Sequence, residues 1–300
     1  MENIKIKCPK CSSENVKKDG LRKTENRGNI QRYKCKDCNT RFVVDDGFFR
    51  MRNAPQKITC ALDLFYKGVS TRKVQEHFKA FYPHNSDHTT IMRWIFKYSE
   101  MIATFTDNLK LNVGEELQID EVEYKRRKKH NTKGTENNWF IDSIDTETRF
   151  LVASKYVKSR GQEEIKGVLK EARKQTGDQF KVITSDGFTA YPKAVTQSFG
   201  YYNFLRKEIR HNVVNASKGQ GFNYPIERFH NTLRQRTKVF RGFHGSIDTA
   251  NLIMKGFCIH YNFITKHQGI NCTPSELAIP SLKFSLSNRW LELITNSKKD

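Results

Sequence analysis

The chain has 300 residues, 37% of them apolar, which suggests roughly two domains of ordinary size and at least one sizeable core. Lys and Arg number 53 against 32 Asp and Glu, and the formal net charge of +21 favours a polyanionic partner, nucleic acid ahead of a membrane surface. Mean hydropathy is −0.72 with no run of 18 apolar residues, which excludes a membrane-spanning helix, and MENIKIKCPKC has no apolar stretch after its charges and so is no secretory signal.

Cys8-Pro9-Lys10-Cys11 and Cys35-Lys36-Asp37-Cys38 form two C-x2-C knuckles separated by 23 residues. Each knuckle offers two thiolates from one tight turn, and four soft ligands in a tetrahedron suit one structural Zn²⁺. A disulfide framework or redox pair is the competing reading. The odd total of seven Cys, the missing signal and the absence of a βαβ pattern argue against it. Residues 1–48 therefore read as a zinc ribbon, too small to fold without metal, ending in the strand-like Thr40–Val44. Lys17, Lys18, Arg22, Lys23, Arg27, Arg32 and Lys34 make it basic. Cys60, Cys258 and Cys272 stand alone and read as buried structural thiols.

Residues 49–111 carry three helical patterns. Ile58, Ala61, Leu62 and Phe65 share one face from Gln56 until Gly68. Ser70-Thr71 caps a second helix with Val74, His77, Phe78 and Phe81, which Pro83 stops. The third runs from His88 to Phe105, with Ile91, Trp94, Ile95, Tyr98 and Met101 at core spacing. Together they resemble a helix-turn-helix domain in which Asp87, His88, Thr89, Thr90, Arg93 and Lys97, with Arg72, face DNA. A plain three-helix bundle with a solvated basic face is the alternative.

From residue 112 to 280 the pattern becomes mixed. Strands are expected at Glu116–Val122, Trp139–Ile144 and Phe150–Tyr156, the last two forming a hairpin around Asp145–Thr148. An amphipathic helix over Gln162–Lys174 places Ile165, Val168, Leu169 and Ala172 on one face. A strand at Lys181–Thr184, a short helix, a strand at Tyr201–Leu205 and a helix opened by Tyr224-Pro225 complete the order βββαβαβα. That order fits a mixed α/β sheet of ribonuclease H type. Residues 281–300 read as an accessory helix or tail.

Three acids stand out by position. Asp120 lies inside the first strand of this region, and Asp186 follows a later strand, where open sheets place ligands. Glu227 shares a helix face with His230, Asn231 and Arg234, opposite Ile226, Phe229 and Leu233. Glu121 and Glu123 compete with Asp120, but Glu121 points to the other sheet face. Lys125-Arg126-Arg127-Lys128-Lys129-His130, with Lys133, is a basic run after the first strand, and Arg236, Lys238 and Arg241 extend the Glu227 helix as a positive edge.

Ile119-Asp120-Glu121, Thr184-Ser185-Asp186-Gly187 with Tyr191, and Ile226-Glu227-Arg228-Phe229-His230 resemble the DDE transposases of prokaryotic insertion sequences, in the retroviral-integrase superfamily. The nearest likeness is to the insertion-sequence family six group. Phe240-Arg241-Gly242-Phe243, Tyr261-Asn262, His267 and Thr273–Leu277 extend it, so that it covers about residues 56–280. One departure is that forty residues separate Asp186 from Glu227, more than the likeness implies. Asn215–Gly221 offers a glycine-rich place for the excess, whereas Glu208 would shorten the interval to 21.

The resemblance implies a DNA transposase that binds double-stranded element ends, cuts them and joins the freed 3′-OH to target DNA. It further implies Asp120, Asp186 and Glu227 as ligands of two Mg²⁺, with Mn²⁺ a substitute. Arg234 would clamp a phosphate and His230 and Asn231 would assist. Lys125, Arg126, Arg127, Lys128 and Lys238 would hold the DNA backbone. A homodimer or higher assembly in the cytoplasm, at the nucleoid, follows from the need to join two ends. A DNA-binding regulator derived from a transposase, without strand transfer, is the alternative.

Overall fold

A computed structural model describes residues 6–25, 27–82, 86–127, 135–199, 209–215, 223–238, 243 and 245–298, with the side chains of Arg127 and Thr135 outside that set. Strands β1 (Val16–Thr24), β2 (Gly28–Cys35) and β3 (Arg41–Val43) make a three-stranded antiparallel sheet in that order. Its two Cys turns are built alike. Cys8 N donates to Ser13 O and Cys35 N to Thr40 O, both at 2.9 Å. The residue after the second Cys of each pair is left-handed, Ser12 at φ 56° and Asn39 at φ 59°.

Helices α1 (Pro55–Tyr66), α2 (Thr71–Phe81) and α3 (His88–Thr106) follow close to the expected bounds. The Ser70 side chain caps α2 and Asp87 caps α3. In α2 only Val74 and Phe78 are buried; His77 and Phe81 lie outside the core and against each other, ring centres 4.6 Å apart. Of the three solitary thiols, Cys60, Cys258 and Cys272 are all partly buried rather than enclosed.

The second sheet has five strands in the order β6-β5-β4-β7-β8: β4 (Glu116–Arg127), β5 (Thr135–Asp145), β6 (Leu151–Val157), β7 (Val182–Ser185) and β8 (Arg210–Val213). β4, β5 and β6 are antiparallel, whereas β7 pairs parallel to β4 and β8 parallel to β7. This is the mixed sheet expected from the element order. β4 and β5 run further than their apolar alternation suggested, because the paired register continues to Arg127 and Thr135 through polar residues. The expected strand Tyr201–Leu205 lies outside the described residues; the fifth strand is Arg210–Val213, a polar edge segment without strand periodicity.

Helices α4 (Gln162–Thr176) and α5 (Tyr191–Phe199) pack together on one side of the sheet, α4 reaching β5 and β6. On the other side lie α6 (Tyr224–Thr237) and α7 (Ile247–Ile259), the latter continued by a π-helical turn, His260–Ile264. The open edge of β6 is covered by two amides. Asn251 brackets Tyr156 N and O at 2.8 and 3.0 Å, and Asn262 brackets Leu151 N and O at 2.9 Å each. Both stand in for a sixth strand. After α8 (Pro274–Ala278), the last helix α9 (Arg289–Asn296) packs on α1 and α3 with Trp290, Leu293 and Ile294 buried. Gly256 lets α7 approach closely, since a Cβ there would lie 1.9 Å from the Tyr66 hydroxyl.

Candidate functional site

β4 is the axis of the site. Its parallel register with β7 ends at Gln118 and Thr184; the same offset, carried two residues past that last pair, brings Asp120 level with Asp186, just past the end of β7. Asp120 is also the cross-strand partner of Asp142 on β5. Glu227 occupies the first turn of α6, which packs over β4 and β5.

His230, one turn beyond Glu227, joins these elements. Its Nδ1 lies 3.5 Å from Asp120 Oδ2 and its Nε2 lies 3.0 Å from Asp142 Oδ2, while Ser154 of β6 donates to Asp142 Oδ1. Asp142 is fully buried and His230 nearly so. Burial alone would push the imidazole down, but the carboxylates of Asp120 and Asp142 outweigh it and hold it up at about 9. A cation clamped between two acids fixes α6 on the sheet and Asp120 beside it.

Asp120, Asp186 and Glu227 are all half-exposed, so that solvent and ions reach them. Asp120 Oδ1 accepts from Glu121 N at 2.8 Å, and Asp186 Oδ1 accepts from Phe188 N at 2.9 Å. Asp186 Oδ2 has no partner among the described residues. The donor set is all carboxylate oxygen, which fits a hard divalent cation such as Mg²⁺. Among the described residues only the four ribbon thiols form a group of three or more metal-capable side chains with ligand atoms mutually within 4.8 Å; the three acids do not meet that spacing.

On the other face of β4, Glu121 is enclosed. Arg160 donates to it at 2.7 Å and the buried Tyr191 hydroxyl donates to its second oxygen. Burial raises its carboxyl, against the pull of Tyr191 and Arg160, and the nearby Asp186 and Asp120 raise it further.

The remaining candidates divide. Arg72, Thr89, Arg93 and Lys97 are exposed and Thr90 is half-exposed. Thr89, Arg93 and Lys97 recur every four residues along α3 and so form one stripe. Asp87 is occupied as the α3 cap, accepting from Thr89 N at 3.0 Å. Arg234 and Lys238 are exposed, Arg234 resting on Asn231 at 3.3 Å. Lys125 is exposed, but Arg126 is engaged by Glu136 and by Gly245 O at 2.9 Å, and its side chain is only 14% exposed. Arg236 instead ties α6 to the end of α1 through Lys67 O at 3.0 Å. Lys128, Lys129, His130, Lys133, Glu208, Arg241 and the Arg127 side chain lie outside the described residues.

In the ribbon, Cys8 Sγ and Cys38 Sγ are 3.5 Å apart and Cys11 Sγ and Cys35 Sγ 3.6 Å. A tetrahedron of Zn–S bonds of about 2.3 Å has edges of about 3.8 Å, so the four thiols have the size of a zinc cage. Asp37 locks the two knuckles together, accepting from Ser13 and, at 2.9 Å, from Asn15.

Asp142 and Arg160 were not singled out by the sequence. An acid opposite Asp120 becomes visible only once the β4–β5 register is known, and Arg160 only once its loop is placed.

Residues 115–268, just over half of the chain, match the family model DDE_Tnp_IS240, a DDE domain. The chain belongs to this family, the DDE transposases of insertion-sequence type expected from the three acidic motifs. Among solved structures it is similar to a chain of the Drosophila P element transposase strand transfer complex, with 14% identity and a TM-score of 0.35 over 59% of this chain and 42% of that one. No curated protein matches.

Proposed function

We propose that the protein is an active transposase that cuts element-end DNA and joins the freed 3′-OH to a target strand. The observation that carries this reading is that the β4–β7 offset, carried past the end of β7, brings Asp120 and Asp186 level, with Glu227 brought over β4 on the helix that His230 fastens to Asp120. Asp120, Asp186 and Glu227 would hold Mg²⁺, two ions in the full site. When bound, these supply Lewis-acid polarisation of the phosphodiester and an activated attacking oxygen.

The chain's own residues orient the reacting groups. His230 keeps one Asp120 oxygen fixed, while Asp186 leaves Oδ2 open. Lys125, Arg234 and Lys238 are exposed cations on β4 and α6 and would neutralise backbone phosphates. Residues 49–111 serve as the helix-turn-helix, Thr89, Arg93 and Lys97 presenting the groove-facing stripe, with Thr90 on the same helix and Arg72 on α2 adding to it. Cys8, Cys11, Cys35 and Cys38 would hold one structural Zn²⁺ that folds residues 1–48. Residues 112–280 make up the catalytic domain, closed by residues 281–300, and the working form is a homodimer or larger assembly on DNA.

The test incubates the full-length protein with element-end duplex and Mg²⁺ and resolves the strands on a denaturing gel. Metal-dependent nicking followed by joined products is expected, with both absent in Asp186→Ala. Binding without either product would favour the DNA-binding regulator, and cleavage without joining a nuclease.

A further inference from the structure

β4 turns two consecutive acids to opposite faces of the sheet, and only Asp120 belongs to the candidate triad. The other, Glu121, has a side chain 2% exposed, and a carboxylate so far from water needs partners to stay charged. Arg160 Nη1 donates to Oε1 at 2.7 Å and the Tyr191 hydroxyl donates to Oε2. Each oxygen is already engaged, unlike Asp186 Oδ2, so Glu121 is not laid out as a metal ligand.

Both partners grip the turn that carries Asp186. Tyr191 begins α5, five residues after Asp186, and is fully buried. Phe188 lies between them. Its N–H is bonded to Asp186 Oδ1 at 2.9 Å, and its ring packs edge-on against Tyr191 at 6.2 Å. The Arg160 guanidinium sits 4.4 Å from the centre of the Phe188 ring and 4.6 Å from that of Trp139 on β5. The path closes on itself: Asp186, Phe188, Arg160, Glu121, Tyr191.

β7 has only four residues and stops at Ser185, so strand pairing alone does not fix where Asp186 goes. An enclosed carboxylate held by an arginine and a tyrosine is also a poor stabiliser compared with apolar residues of the same volume. We propose that Glu121, held by Tyr191 and Arg160, is the positioning residue for Asp186. Because Glu121 and Asp120 are neighbours on one strand, fixing the turn to Glu121 fixes the separation of Asp186 from Asp120, and hence their ability to share a divalent ion. The inference rests on the carboxylate reading of the site.

The probe is Mn²⁺ alone, its binding to full-length protein read by loss of the free-ion EPR signal, with thermal unfolding recorded for every variant. Tyr191→Phe and Arg160→Gln are expected to melt cooperatively yet bind Mn²⁺ about 10–100-fold more weakly. Their DNA cleavage is expected to recover as Mn²⁺ is raised, which a general loss of packing would not allow. Should Tyr191→Phe fail to fold, Arg160→Gln decides alone, since that side chain is 42% exposed and its replacement leaves the core intact. Folded variants with the Mn²⁺ affinity of the unmodified protein would overturn the positioning role. Asp186→Asn with unchanged affinity would overturn the carboxylate reading beneath it.

Discussion

His260 opens the π-helical turn at a junction of three elements, its ring centre 6.3 Å from those of both Tyr66 of α1 and Trp290 of α9, which stack on each other at 5.6 Å. Its Nδ1 lies 3.2 Å from the Thr265 hydroxyl, and its Nε2 is buried with no partner among the described residues. Burial chiefly, with Arg236, Lys67 and His267 adding to it against the opposing Asp63, pushes the imidazole down to about 4. In the unfolded chain it titrates near pH 6.5. Above that value both states are neutral and the group is silent. As the pH falls below it, the unfolded chain takes up a proton that the fold refuses, so stability declines until the fold also protonates near pH 4. The loss is about 2 kcal/mol at pH 5 and about 3 kcal/mol once complete. Urea unfolding followed by tryptophan fluorescence, at about pH 7.5 and about pH 5, compares the unmodified protein with His260→Phe. Phe keeps an aromatic ring against Tyr66 and Trp290 and removes the titration, and other groups cancel in the difference. The unmodified protein is expected to lose about 2 kcal/mol more than the variant. Equal losses would refute the reasoning, because the buried neutral imidazole would then contribute nothing to the acid sensitivity.

Asp142→Ala leaves the buried His230 with one carboxylate and Ser154 without its acceptor, at a cost of about 3–5 kcal/mol in urea unfolding; under about 1 kcal/mol would contradict the clamp. Metal analysis is expected to find about one Zn per chain, lost in Cys35→Ser, and a metal-free protein with a folded N-terminus would contradict the ribbon assignment. Lys125→Ala is expected to reduce the magnitude of the salt slope of DNA binding by about 1. Arg126→Ala, already committed to Glu136 and Gly245, is expected to lower stability and leave that slope unchanged; the reverse pattern would show that the two side chains have been assigned the wrong way round.

Where local pattern and tertiary environment agree, the chain is readable in advance. The two Cys knuckles follow from spacing, and the three helices after Pro55 and the βββαβα run from periodicity, since the marked faces are largely buried, His77 and Phe81 of α2 excepted. The place of Asp186 after a strand was legible from position alone, because strand ends in such sheets collect ligands. What periodicity could not supply is register. Asp142 reads as an ordinary polar residue of a strand until the hairpin sets it opposite Asp120. Arg126 looks like one member of a basic run, and only the approach of Phe243 and Gly245 shows that it is enclosed. β8 escaped for a different reason. Arg-His-Asn-Val is an edge strand held by backbone pairing to β7, and its side chains carry no apolar alternation to announce it.

The most direct test of the account is a crystal of the full-length protein soaked in Mn²⁺, with anomalous scattering recorded at the Mn edge. Peaks coordinated by Asp120, Asp186 and Glu227 are predicted, and none should remain there in Asp186→Asn. A well-ordered site with no peak among these three acids, or a peak coordinated elsewhere, would contradict the claim that they form the metal centre for strand cleavage and joining.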